Sequence, residues 1–538
     1  MKKFSYNCGC SFPLVSADNM PQQIVFNPDI HNLNLECSRT WDLIGDGNTK
    51  GCFQLESRLG RTMAKKLKPE NIEQLSALIS IMRPGCLEAI RDGKSVSNHY
   101  IDRKNGEESI DYFHPSLKPI LEPTYGEMIY QEQTMEIAKA IAGFNLQEAD
   151  ILRKAIGKKK PEEMAKVKTK FIEGCNNTNI VTTDQAEQIF GWIEKSQRYL
   201  FNKSHSVSYA INAYLSAYTK AHFPKVFFAS YLRFAKDKID PQAEIKELVQ
   251  NALEMDIAVN IPDIRLLNEL FIINNKQIYF GLTDIKGVGS SVHTKILDVI
   301  KNNNLNLESM DWCDIAIKLL LNINSIASKA MISVGALDFC KKTRNCMLFE
   351  YNILNELTKK ECSFIQNLSG DLKPRLLNLL ANGKINKNRA KIVNDLIDTM
   401  NNPPYSLLDS PEFISDAEAS LLGCSITSSR IEIYDTSVAN TTCKEFKCGK
   451  NEKNMIIAGE IDAINVTKTK TGKKAGLEMA FVTINDTSGN LDCVIFFPEQ
   501  YQLYRNILFE QNVVLFKGNR SKGSKESFVV EKCYIAKS

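Results

Sequence analysis

The chain has 538 residues, 43% of them hydrophobic and 24% charged, with a formal net charge of +4. At a prior of about 150 residues per domain this excludes a single core, and the composition is that of an ordinary soluble globular protein. No apolar stretch approaches the roughly 18 residues that a membrane helix needs, and the opening MKKFSYNCGC has no apolar run behind its lysines, so the expectation is a cytoplasmic protein with no secretory signal and no membrane partner. Residues 1–40 are polar and irregular and read as an extension or docking element. From 41 to 255 the pattern is helical: Ile72, Leu75, Leu78, Ile79 and Met82 recur at helix spacing. Pro161 with Glu162 and Glu163 reads as a helix first turn, and Gly174 as that helix's stop. Gly143 and Gly157 end two shorter helices, and Val207 to His222 forms another, with Ser204 or Ser206 as its cap.

After 256 short strands are expected at Ile257–Ile261, Leu270–Ile273 and Gln277–Phe280, the last two joined by an Asn274-Asn275-Lys276 turn. Short helices fill the rest of a 256–400 region, and 401–453 reads as a linker and helical segment opened by Asn401-Asn402-Pro403-Pro404. Beyond 454 the period switches to two. Ile456–Ile464, Glu478–Asn485, Leu491–Phe497, Val513–Asn519 and Phe528–Tyr534 are strand candidates, with a helix-like Glu499–Phe509 between the third and fourth. Five strands so arranged over 454–538 suit an OB-fold barrel.

The net charge says little about nucleic acid, but its distribution says more. Arg58, Arg61, Lys65, Lys66 and Lys68 form a run without acids, and Arg153, Lys154, Lys158, Lys159 and Lys160 form a second. Solvated helix faces look similar, so each alone is weak. Arg153 and the triple lysine after Gly157 present cations from a helix and its following loop, which suits a triphosphate. In Met82-Arg83-Pro84-Gly85 the arginine at a rigid turn reaches a phosphate or simply faces water. In Glu122-Pro123-Thr124-Tyr125-Gly126 and Tyr130-Gln131-Glu132-Gln133 the Tyr and Gln side chains stack on a base or pack a core. In Phe201-Asn202-Lys203-Ser204-His205-Ser206 Phe201 can stack and Asn202, Lys203 and His205 can donate. In Lys286-Gly287-Val288-Gly289 the glycines permit a sharp turn whose N–H groups face a phosphate. The barrel hairpins carry Lys468, Lys470, Lys473 and Lys474, and Arg520, Lys522 and Lys525, beside Phe481, Phe496 and Phe528, which either stack on single strands or fill the barrel.

Taken together, Phe-Gln-Leu-Glu-Ser at 53–57, Arg-Pro-Gly at 83–85, Glu-Pro-Thr-Tyr-Gly at 122–126, Tyr-Gln-Glu-Gln at 130–133, Gly-Lys-Lys-Lys-Pro at 157–161 and Phe-Asn-Lys-Ser-His-Ser at 201–206 resemble the finger-domain signature of the C-family replicative DNA polymerases. Ile285-Lys286-Gly287-Val288-Gly289 is similar to that family's helix-hairpin-helix, and Ile332–Asp338 to the segment after it. The resemblance runs over about 40–538 and implies a multidomain chain: a mainly α finger domain, a helix-hairpin-helix module and a carboxy-terminal all-β OB-fold barrel.

By the resemblance, Arg153, Lys154, Lys158, Lys159, Lys160 and Tyr199 to His205 (Tyr199, Phe201, Asn202, Lys203, Ser204 and His205) would meet the incoming dNTP. Arg58, Arg61, Lys65, Arg83, the Lys286–Gly289 hairpin and the barrel cations Lys468, Lys470, Lys473, Arg520 and Lys522 would lie along primer-template DNA. The family commonly has Arg-Arg where this chain has Arg153-Lys154, and lysine lacks the bidentate fork. Phosphoryl transfer needs clustered carboxylates on two metal ions. The family's palm aspartates belong upstream of the match, and Asp284, Asp462 and Asp486 do not sit in a matching context. The implied partner is therefore a palm- and thumb-bearing chain holding Mg2+, as in a split, phage-type enzyme, with no catalytic residue and no metal in this chain. Nothing between 340 and 450 matches the family's Gln-x-x-Leu/Met-Phe clamp peptide well, which leaves the sliding clamp an open partner. Cys8 and Cys10 have poor spacing for zinc with Cys37, Cys443 or Cys448. The competing reading is a non-catalytic DNA-binding protein derived from a polymerase.

Overall fold

A computed structural model describes residues 33–158, 161–196, 199–449, 454–469, 475–521 and 527–536. They divide into two compact units, one ending at Phe227 and one beginning at Phe228.

The first unit is helical. Its helix Lys203–His222 lies beside Ile72–Ile81, and the two are pinned by hydroxyls as well as by apolar packing. Ser206 Oγ donates to the Ser76 carbonyl at 3.0 Å and accepts from Ser80 at 3.1 Å, while Tyr130 OH lies 3.1 Å from Ser76 Oγ. These groups are buried, so each needs its partner. The helices Gln131–Ala142, Leu146–Lys158, Pro161–Thr178 and Thr183–Ser196 enclose a second core of Ile137, Ile141, Leu152, Phe171 and Phe190.

Two local expectations are corrected here. Gly174 does not stop its helix, which runs on to Thr178. A Cβ at Gly174 would fall on the Ala142 carbonyl oxygen, so the glycine marks a close approach between helices. Lys203–His222 begins before Val207, and its cap is Asn202, whose side chain accepts from His205 N at 2.9 Å. Ser206 is occupied in the buried hydroxyl cluster, and Ser204 donates to Asn202 at 2.8 Å. Gly143 does close Gln131–Ala142 in the left-handed conformation, at φ 66°.

In the second unit, Gln277–Tyr279 is the centre of a small sheet, parallel to Val259–Asn260 and antiparallel to Ile272–Asn274. Asn275 and Lys276 both have positive φ, as a type I′ hairpin turn requires. Gly281 follows at a point where a Cβ would overlap the Glu269 carbonyl and the Leu270 backbone. Its N–H donates to Asp284 at 2.8 Å, and burial pushes the Asp284 carboxyl up to about 7. Gly281→Ala is expected to lower the stability of this unit by about 1–3 kcal/mol, read as a lower urea midpoint; an unchanged midpoint would contradict the packing described.

The helices Ser290–Asn302, Trp312–Lys318, Ser325–Ser333, Arg344–Asn355 and Leu372–Asn382 follow. The five strands Met455–Lys468, Glu478–Asp486, Gly489–Phe496, Val513–Arg520 and Phe528–Ile535 close into a barrel. The fifth strand pairs parallel with the third and antiparallel with the fourth, and the first pairs with the second and the fourth. A short helix, Pro498–Tyr504, lies between the third and fourth strands. This is the closed five-stranded order of an OB-fold. Ile457, Ile461, Val482, Val494, Phe496, Phe516 and Phe528 fill it from alternate positions.

Candidate nucleotide and nucleic-acid interface

In the first unit the sequence motifs meet around the start of the Lys203–His222 helix. Phe201 is fixed as an extended residue beside Tyr130: its N–H donates to the Ile129 carbonyl, and its own carbonyl accepts from Gln131 N, both at 2.9 Å. Glu132, in the first turn of Gln131–Ala142, holds the next two residues. One carboxylate oxygen accepts from Asn202 Nδ2 at 2.8 Å and the other from Lys203 N at 2.9 Å. Lys203 Nζ lies 3.2 Å from Glu73.

With that turn fixed, five side chains line up. The Arg83 guanidinium lies 3.8 Å from the centre of the Phe201 ring. Phe201 meets His205 edge-on at 5.4 Å, His205 lies 4.2 Å from Tyr209, and Tyr209 lies 5.1 Å from Phe53. His205 and Tyr209 are four residues apart on one helix face. Arg83, His205 and Phe53 are exposed, so this is a surface ladder of a cation and four rings and not a core. Tilted and edge-on rings beside a guanidinium, with faces open to solvent, suit a nucleobase and its phosphates. Phe53 is placed by the Gly51–Ser57 turn, where its N–H donates to Ser216 Oγ at 3.0 Å.

The remaining finger motifs divide. Tyr130 and Gln133 are buried: Gln133 accepts from the N–H groups of Ile129 and Tyr130 at 2.9 and 3.0 Å, and burial pushes the Tyr130 phenol up to about 12. They take the core alternative. Tyr199 is also largely enclosed, with its hydroxyl 2.9 Å from Ser196. Arg153 and Lys154 share one counter-ion, Asp150, at 2.8 and 2.7 Å, and these two cations, Lys154 first, hold its carboxyl below the usual range. The inner residues of that helix, Leu152 and Ala155, enter the same apolar cluster as Leu200, so the basic helix and the Phe201 turn rest on one core. Lys158 ends the helix; its side chain, Lys159 and Lys160 lie outside the described residues. Arg58, Arg61 and Lys65 sit on the helix Arg58–Leu67, which Ser57 caps at Gly60 N, 3.0 Å away. Arg58 is exposed, and Arg61 and Lys65 are half-buried.

In the second unit Gly287 takes φ +94°, as the hairpin turn requires, and Val288 plugs the core while Lys286, Gly287, Gly289 and Ser290 are exposed. The expectation of consecutive outward N–H groups is met only in part. Lys286 N donates to the Leu421 carbonyl and Val288 N to that of Ile285, both at 2.9 Å. The outward groups therefore come from the glycines and the first turn of Ser290–Asn302. Ser290 Oγ donates to Glu269 at 2.7 Å.

In the barrel, Phe496 and Phe528 are buried, which leaves Phe481 as the half-exposed ring of the three. Lys468 is exposed at the end of the first strand. Arg520 stacks on Phe446 at 4.0 Å and donates to its carbonyl, so it is engaged within the protein. Lys470, Lys473, Lys474, Lys522 and Lys525 lie outside the described residues, as do Cys8 and Cys10.

Glu132, Tyr209 and the hydroxyl cluster join the site only in the folded structure. Tyr209 was detectable as the residue one helical turn after His205. Nothing local marks the partners of Glu132, which lie 70 and 71 residues away.

The finger-domain model of the bacterial DNA polymerase III alpha subunit matches residues 17–179, and a helix-hairpin-helix motif model matches 256–347. The first match begins inside the segment read as an extension, and the Phe201 turn lies beyond its end. Among curated relatives, the DNA polymerase III alpha subunit of Haemophilus influenzae is 32% identical over 502 residues, covering 92% of this chain and 41% of the relative. The subunit of Aquifex aeolicus is 32% identical over 490 residues, covering 90% and 38%, and that of Escherichia coli K12 is 30% identical over 504 residues, covering 92% and 41%. The chain thus spans about two fifths of the length of these relatives. Over its finger and helix-hairpin-helix regions the chain is similar to the bacterial DNA polymerase III alpha subunit.

Proposed function

We propose that this chain supplies the finger and DNA-holding parts of a replicative DNA-directed DNA polymerase. An incoming dNTP stacks against the Arg83–Phe201–His205–Tyr209 ladder, and its phosphates draw Arg153, Lys154 and Lys158 to Lys160. Primer-template DNA lies along the Gly287 hairpin and the barrel. The observation that carries this reading is the exposed ladder held by Glu132, in a chain related to polymerase finger domains.

Arg153 and Lys154 are balanced by Asp150 in this structure. A triphosphate carries more charge than one carboxylate and would take over as their counter-ion. Arg83 can do the same without leaving the Phe201 ring, because a guanidinium stacks by its face and donates from its edge.

Among the described residues no three His, Cys, Asp or Glu side chains converge to hold a metal ion. The reading assigns the metal-binding aspartates to another polypeptide bearing palm and thumb. Among the described residues no helix is long and apolar enough to cross a membrane.

Mixed with its palm-bearing partner, a primer-template and magnesium, the chain should support primer extension. Arg153→Ala and Lys158→Ala should each raise the apparent dNTP KM about tenfold or more, the worth of a lost charge-assisted contact, with little change in DNA affinity. Folded, co-eluting components that never extend a primer, or variants with an unaltered dNTP dependence, would overturn the reading.

A further inference from the structure

The Gly287 hairpin lies beside the start of the Ser325–Ser333 helix. Lys286, Ser290, Ser291, Ser325 and Lys329 are exposed there, and so is Ile326, at 75%. Ile326 is the second residue of the Ser325–Ser333 helix, which Asn324 caps by accepting from Ala327 N at 2.7 Å. It lies against the hairpin: a Cβ added to Gly287 would sit 3.3 Å from Ile326 Cγ2. Lys329 is three residues further along the same helix face. An exposed apolar side chain beside a glycine turn, with Lys286 next to the turn in sequence and Lys329 three residues along the helix, suits a ligand that is anionic and apolar at close range. A nucleic-acid strand is such a ligand, because its phosphates alternate with the C–H faces of its sugars.

We infer that Ile326 is a deoxyribose contact that lets this module discriminate duplex DNA from duplex RNA. This rests on the proposal that the hairpin holds DNA. With one phosphate at the Gly287–Gly289 turn and Lys286, and the next drawn by Lys329, the Ile326 side chain lies on the minor-groove face of the intervening sugar. A deoxyribose offers only C–H groups there. A ribose places its 2′-hydroxyl in the same position, where Ile326 strips its water and offers no partner. The contact adds affinity without adding charge, so it leaves the number of released counter-ions unchanged.

The test is fluorescence anisotropy of the full chain on a DNA duplex, an RNA duplex of the same sequence and a DNA single strand, each over a salt series. Ile326→Ser should weaken DNA-duplex binding about fivefold or more, with an unchanged slope of log K on log salt. RNA-duplex and single-strand binding should change less than about twofold. Ile326→Val should retain most of the DNA-duplex affinity, and thermal melts should match the wild type because the side chain is exposed. Lys286→Ala serves as the control, expected to lower the salt slope by about 1. If Lys286→Ala weakens binding and Ile326→Ser does not, or if Ile326→Ser weakens DNA and RNA equally, the inference falls while the DNA-holding role stands. If neither variant alters duplex binding, the DNA-holding role of the hairpin falls with it.

Discussion

Replacing Arg375 by alanine should destabilise the second unit by about 2–5 kcal/mol, from the cavity a large buried side chain leaves and the hydrogen bonds lost with it. Arg375 is fully enclosed on the Leu372–Asn382 helix, and every face of its guanidinium is used. Nη2 donates to Asp311 at 2.8 Å, Nη1 to Asp314 at 2.9 Å, and Nε to the Gly370 carbonyl at 2.7 Å. Asp311 is also the cap of Trp312–Lys318, accepting from Asp314 N at 2.8 Å. Alanine would leave a cavity, an unpaired carbonyl, Asp311 without its counter-ion and Asp314 with Lys318 alone, 3.6 Å away. Arg375→Lys should recover little, since one ammonium cannot reach three acceptors set in a fork. Urea unfolding reads the effect as a lower midpoint, and a loss below about 1 kcal/mol, the level of an exposed pair, would contradict it.

Glu132→Ala should lower kcat/KM for dNTP incorporation about 10- to 100-fold in the complex with the palm-bearing partner, through two lost charge-assisted hydrogen bonds and the displacement they permit. Glu132 contributes no contact to the ladder itself. It holds Asn202 and Lys203, and through them the orientation of Phe201 and His205. Primer-template affinity should stay within about twofold, because the hairpin and barrel are untouched. Glu132→Gln should fall between, since its amide oxygen can still accept one of the two hydrogen bonds while its NH2 cannot accept the other. Single-turnover insertion at varied dNTP separates this positioning role from general loss of fold, which would lower DNA binding as well.

Legibility in the sequence followed the range of the forces involved. The barrel strands were readable to within a few residues because inward and outward side chains alternate along each, as Val482 and Ile484 inside with Phe481 and Thr483 outside illustrate. The Asn275-Lys276 turn was readable because its backbone demand is local. Gly174 misled because a glycine near a helix end looks like a stop, whereas its cause is the Ala142 carbonyl of another helix. Arg520 looked like a surface cation because Phe446 is 74 residues away. The Asp150 partner of Arg153 and Lys154 was visible at helical spacing, three and four residues earlier, but cations alone were counted. The ladder's rings were individually ambiguous. Only the tertiary pairing of Tyr130 with Phe201 and the Glu132 anchor make them a surface.

The Phe201 turn and the basic end of the Leu146–Lys158 helix are proposed to receive a nucleotide whose reaction is completed by acids on another polypeptide. The most direct measurement is photocrosslinking of an azido-dATP to the assembled complex on a dideoxy-terminated primer-template, with the adducts mapped by mass spectrometry. Adducts on this chain should fall within 199–209 and 153–160 and vanish when the templating base is not thymine. Adducts confined to other segments, or unaffected by the templating base, would contradict the account.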